Sequence, residues 1–323
     1  LVFVVTINER TLPVWLHPLA WITAVTALLP ISVGAVVTTL DAGMAFPDWL
    51  TADGIFVPFY PWLESTGDKF VEHGHRLAVI VMGVVIVLLA VGVSLHVRRA
   101  DVRRLTAGIV AGFLAQAILG GQRVIQDERL LALLHGDFAA CFFALTGWLV
   151  AMTSPRWQTP TPTIDTRRGT AAVVWCAATF AVLSVQYVLG GLLRHFGAAH
   201  AWLVHPWFAI VVVFAAGGSL LSAWRTEAPE LRRAASWVAA LIVAQALLGV
   251  VTWGARYGFP QWGVVAVQQS TWQVSLRSLH KVLGLVTFMA AFVALIRNVR
   301  AARQSLGGMP WPQTLASPTG SRA

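Results

Sequence analysis

The chain has 323 residues, 57% of them hydrophobic and only 11% charged, with a mean hydropathy of +0.70. That balance excludes an ordinary water-soluble domain. The formal net charge of +9 is scattered between apolar runs, so it points to membrane topology and attraction to anionic lipid, and not to a folded domain for nucleic acid.

Crossing ~30 Å of hydrocarbon takes about 20 apolar residues in a helix. Eight segments qualify, near 18–39, 76–95, 106–125, 131–152, 170–192, 203–224, 235–254 and 278–297. None alternates with period two, and a chain in lipid must satisfy its own backbone hydrogen bonds, so the segments are expected to be helices and not barrel strands. The first, from Leu19 to Leu40, is too long for a signal-peptide core and ends without a small-residue cleavage pattern, so it is expected to remain as a helix.

Between the first two spans lies the aromatic loop "GMAFPDWLTADGIFVPFYPW" (43–62). It reads either as a lid over the first four spans or as an interfacial belt of Trp and Tyr. The second span opens with "VEHGHRL" (71–77), which holds Glu72, His73, His75 and Arg76. Glu72 is three residues before His75 and four before Arg76, so all three share one helical face, while His73 points away.

Arg98, Arg99, Arg103 and Arg104 follow the second span, Arg156, Arg167 and Arg168 the fourth, and Arg225, Arg232 and Arg233 the sixth. Arg297, Arg300 and Arg303 follow the eighth, and Arg10 precedes the first. The positive-inside rule puts all of them on the cytoplasmic side, with both termini, in a cell inner (plasma) membrane. The Pro- and Thr-rich stretch 154–169 divides the spans four and four. The expected organisation is a bundle over 1–153, a cytoplasmic linker over 154–169, a second bundle over 170–300, and a disordered tail over 301–323. Cys141 and Cys176 fall inside spans, where packing is their default role.

The two halves repeat each other. "QAILGG" at Gln116 matches "QALLGV" at Gln245, and His75 matches His205 with the same separation to within one residue. His135 and His280 open the fourth and eighth spans, with the extra length absorbed by a longer loop. "QYVLGG" from Gln186 closes the fifth. The expected fold is an all-α integral membrane protein of eight transmembrane helices, arranged as two tandem four-helix bundles related by a pseudo-twofold axis along the membrane normal.

His75, His135, His205 and His280 thus occupy equivalent outward ends of the even-numbered spans, one pair per bundle. Two imidazoles facing each other inside a four-helix bundle are a common way to hold a haem. Zinc normally takes three or four ligands and copper asks for Cys or Met nearby. Glu72 and Arg76 then read in two ways. They form an interfacial ion pair worth ~0.5 kcal/mol if exposed, or Glu72 is an acid, base or nucleophile beside the ring and Arg76 meets a haem propionate. No carboxylate precedes His205 in "AWLVHP". The asymmetry suggests a reactive site beside an electron-transfer site. The Leu-Gly-linked glutamines read as helix-packing residues.

With "DAGMAFPDW", "EHGHR", "QAILGG", His135, "QYVLGGLLRH", His205, "QALLGV" and His280 in this order, the chain resembles the haem A synthase family over roughly residues 12–300. The resemblance implies oxidation of a ring methyl of haem O to the formyl of haem A, the cofactor of terminal oxidases, by successive hydroxylations. It implies that substrate haem O lies between His75 and His135, with Glu72 important for catalysis, and that a haem b between His205 and His280 carries electrons. The partners expected with it are haem O, membrane lipid, an unidentified electron donor, haem O synthase and a second copy of the chain. The first outer loop lacks the cysteine pair frequent in bacterial members, and "DWL" stands for the commoner "DWP". Pro206 follows His205, so the sixth span is expected to begin near His205, where a missing donor costs little. The same four histidines would also serve a two-haem membrane electron carrier or a haem delivery and assembly factor.

Overall fold

The structure, a computed structural model, describes residues 11–159 and 163–305. Arg10, part of the linker and the tail from 306 onward lie outside the described residues. Among the described residues eight helices are long and apolar enough to cross a membrane: α1 (Leu16–Leu40), α2 (Gly67–His96), α3 (Ala100–Gln126), α4 (Arg129–Thr153), α6 (Thr166–Phe196), α7 (Ala199–Arg225), α8 (Pro229–Tyr257) and α9 (Thr271–Ser305). A single turn, α5 (Pro155–Gln158), sits in the linker, and a two-residue hairpin, β1 (Thr51–Ala52) with β2 (Ile55–Phe56), in the first outer loop. The chain is an all-α membrane protein.

Local chemistry sets several helix ends. The Asp165 side chain accepts the Arg168 N–H and starts α6, while Gly197, in the left-handed region at φ 59°, lets its N–H reach Leu193 O and closes it. The helices run past the apolar windows at both ends. His75 therefore lies in the third turn of α2, and His195 and His200, outside the apolar windows 170–192 and 203–224, belong to the last turn of α6 and the first of α7. α7 begins at Ala199, so the expectation that it starts near His205 is overturned: Pro206 lies inside the helix, where it has no N–H for the Trp202 carbonyl. α9 continues to Ser305, five residues into the stretch expected to be a disordered tail.

Helices α1 to α4 pack as a closed ring of neighbours, and α6 to α9 form a second; α1 and α4 meet α6 and α9 between them. Met82, Ile86, Ile109, Phe142 and Phe143 fill the first ring, joined by Leu285 and Phe288 from α9. Leu183, Val212, Ile242 and Ala291 fill the second. The rings approach closely through small residues on α4: a Cβ at Gly147 would come within 2.4 Å of Met289. Val84, Val87, Leu88, Val91 and Leu95 are exposed along α2, the reverse of a soluble helix and the pattern lipid contact requires.

Candidate functional site

In the first ring His75 on α2 faces His135 on α4 across the diagonal, with ring centroids 6.5 Å apart and planes at 89°. In the second, His205 on α7 faces His280 on α9 at 6.4 Å and 85°. The agreement shows that Pro206 does not displace His205.

Each imidazole rests on a glycine of the preceding helix. A Cβ would stand 2.9 Å from His75 at Gly34, 3.1 Å from His135 at Gly120, 3.1 Å from His205 at Gly190 and 3.2 Å from His280 at Gly249. All four are tighter than an ordinary carbon contact, so only glycine leaves the rings where they are. Four residues before three of these glycines a glutamine holds the backbone of the same histidine. Gln186 Nε2 donates to His205 O and Gln245 Nε2 to His280 O, both at 2.9 Å, and the Gln116 amide lies 3.1 Å from both the carbonyl oxygen and Nδ1 of His135. In α1 the corresponding position is Pro30.

Glu72 and Arg76 form an ion pair at 2.7 Å that is buried, with side chains only 4% and 12% exposed. Both are committed to the outer loop. Glu72 Oε2 accepts the N–H groups of Ala45 (2.7 Å) and Phe46 (3.3 Å), and Oε1 accepts from Arg76. Arg76 donates to the carbonyls of Thr51 (2.6 Å), Asp48 (2.8 Å) and Trp49 (3.2 Å), and its guanidinium lies over the Phe46 ring. Phe46 is fully buried among Tyr60, His73 and Arg76, and Trp49 sits against Gly121 of α3. The inner side of the loop is thus a fixed cover on α2 and α3. Its other side, with Leu50, Phe56, Phe59 and Leu63 exposed, has the character of an interfacial belt. His73 packs under this cover and not toward His75.

A second polar group lies between the rings. Lys281 Nζ stands 3.4 Å from Gly136 O and over the Tyr187 ring, and the Tyr187 hydroxyl lies 3.3 Å from the same carbonyl. The Asp137 carboxylate lies against α6 where a Cβ at Gly191 would come within 2.8 Å, and its Oδ1 is buried without a partner. Arg194 donates to Ala35 O and Thr39 Oγ1. The histidine pattern alone did not reveal this group. The available signal was two charges inside apolar spans, each within two residues of a candidate ligand.

The donor set fits a haem better than a bare ion. Two metal–nitrogen bonds of about 2 Å, plus the depth of each ring behind its nitrogen, account for the spacing of each pair. Among the described residues no cluster of three or more His, Cys, Asp or Glu could hold a metal ion, and a macrocycle supplies the in-plane donors that two imidazoles leave open. Nδ1 of His280 is buried without a hydrogen bond. Beside Gln116 an apolar cleft of about 410 Å³ opens between α3, α4, α6 and α9, lined by Ala115, Phe138, Cys141, Phe180 and Phe288 among others.

No family model matches the chain. Among curated proteins, the haem A synthase of Rhizobium rhizogenes is 34% identical over 146 residues, covering 40% of this chain and 38% of that protein. The haem A synthase of Symbiobacterium thermophilum is 29% identical over 255 residues, covering 69% of this chain and 81% of that protein. The chain thus matches well under half the length of the first relative and most of the second.

Proposed function

We propose, from its similarity to two haem A synthases, that the chain oxidises a ring methyl of haem O to the formyl of haem A by successive hydroxylations. In this reading the chain is two tandem four-helix bundles, 1–153 and 170–300, related by a pseudo-twofold axis and joined by the linker 154–169. It lies in the inner membrane with both termini cytoplasmic. His75 and His135 would hold substrate haem O, and His205 and His280 would hold a haem b able to pass on electrons from a donor. The recurrence of one glycine under each of the four histidines supports the twofold relation.

The observation that carries the proposal is the pair of matching histidine sites of which only the first has a buried carboxylate one turn before its ligand, Glu72. When bound, the iron would activate dioxygen, the oxidant and the source of the inserted oxygen, with electrons from the donor. The protein's share is positional: the glycine-backed imidazoles fix the ring plane, and the loop held by Glu72 and Arg76 keeps water from the outer mouth. Glu72 is placed to handle protons at that mouth. The apolar cleft next to Gln116 suits the hydrocarbon tail of haem O.

Expression in a bacterium lacking its own haem A synthase, followed by extraction of its haems, tests the proposal. Haem A or its hydroxylated intermediate is expected; haem O alone, from a folded protein with a compatible donor, sinks it. One observation favours a two-haem electron carrier instead: every Glu72 contact is with the loop or Arg76, as a purely structural carboxylate would have. A carrier would leave its extracted haem unchanged, as would a haem delivery factor.

A further inference from the structure

We propose that Arg123, and not Arg76, binds the carboxylates of the tetrapyrrole held between His75 and His135; the inference deepens the function proposed above and rests on it. Arg76 has only its Nε–H left, too little for the two parallel bonds that hold a carboxylate. Its two terminal nitrogens already serve three loop carbonyls and Glu72, and breaking those bonds would unfasten the cover that closes the site.

Arg123 is arranged differently. It lies on α3 three residues after Gly120, the glycine beneath the His135 ring, and so less than one helical turn further toward the outer mouth. It is within electrostatic reach of both His75 and His135. Of the five N–H donors of a guanidinium, only those on Nη2 have a protein acceptor among the described residues, the Gly43 carbonyl at 2.7 Å. Among the described residues no carboxylate forms a salt bridge with it. The residue is only partly buried, and its Nε and Nη1 have no protein acceptor among the described residues.

The loop is built to admit this group. A Cβ at residue 43 would stand 2.2 Å from Arg123 Nη2 and 2.8 Å from Nη1, so Gly43 leaves the room the guanidinium occupies. A planar fork of donors, tethered by one nitrogen and free at the rest, is the group that recognises a carboxylate with two parallel hydrogen bonds. The ligand it selects is a tetrapyrrole with free acid side chains on the edge that faces the outer loop.

The test uses the full chain carrying His205→Ala and His280→Ala, which leaves only the first pair. Iron protoporphyrin IX and its dimethyl ester are titrated in by absorbance. The diacid is expected to bind at least about tenfold more tightly than the diester. Arg123→Gln should abolish that preference while the bis-imidazole spectrum persists, and Arg123→Lys should keep part of it. Equal affinity for diacid and diester before Arg123 is altered, or a preference unchanged in Arg123→Gln, overturns this inference alone. The first comparison needs no change at Arg123 and so stands even if Arg123→Gln does not fold. If the first pair binds neither compound, the function proposed above falls with it.

Discussion

Lys281 Nζ lies 3.4 Å from the carbonyl oxygen of Gly136, so the residue after His280 touches the residue after His135. One side chain therefore spans the seam between the two histidine pairs, next to a buried Asp137 oxygen with no partner of its own. Lys281→Met and Asp137→Asn are each expected to lower thermal stability in detergent. The double variant should lose less than their sum, by about 0.5–3 kcal/mol. Strict additivity would show that the two charges do not interact.

Glu72→Ala removes the acceptor from two loop N–H groups and from Arg76, and breaking a buried ion pair costs about 3–5 kcal/mol. Hydrogen exchange should accelerate at Ala45 and Phe46, whose amides it holds. Glu72→Gln, which keeps an acceptor oxygen, should retain most of the protection. If Glu72→Gln loses haem conversion with loop protection and both haem spectra intact, the carboxylate acts in the chemistry; retained conversion would leave it a fastener only.

The glycines make a sharper test of the paired sites. Gly120→Leu should disturb the His135 ring and Gly190→Leu the His205 ring, each removing one haem spectrum and sparing the other, at an overpacking cost of about 1–3 kcal/mol. Gly217 has no neighbour within 4 Å of a built Cβ, so Gly217→Leu should change neither. Loss of both spectra in every variant would mean general disruption.

The hairpin turn of the outer loop should respond to acid. Burial on its own would raise the Asp48 carboxyl, but hydrogen bonds from the Thr51 hydroxyl and the Gly54 N–H outweigh it and hold the group below the ordinary carboxylate value. A depressed value means that the turn has its full support above the unfolded carboxylate pKa of about 3.9, and loses it as pH falls through the lower folded value. Proteolysis at 51–56 is expected to rise only in that strongly acidic range. Asp48→Asn should remove the step, and an unchanged profile in that variant would refute its assignment to Asp48.

The eight spans and the four histidines were legible in the sequence because length in lipid and a duplicated pattern each leave a direct trace. The glycines were visible in "QAILGG", "QYVLGG" and "QALLGV", but their role was not: a glycine in a span reads as helix packing until the partner ring is in view. Helix ends differ from the apolar windows where flanking polar residues remain helical, as at Arg194 and His195. Arg76 lay on the expected face beside Glu72. Its binding of loop carbonyls depends on contacts some 25 residues away in sequence, between Arg76 and Thr51, which no local pattern encodes.

The far end of α9 has its own consequence. Arg300 Nη2 donates to the carbonyls of Trp157 and Thr159, and Ser305 Oγ accepts the Ile164 N–H. The described residues on either side of 160–162 are therefore both stitched to the last helix. Cutting the polypeptide there would leave two fragments with a built-in splint, and a shortened α9 would take that splint away while leaving all four histidines in place.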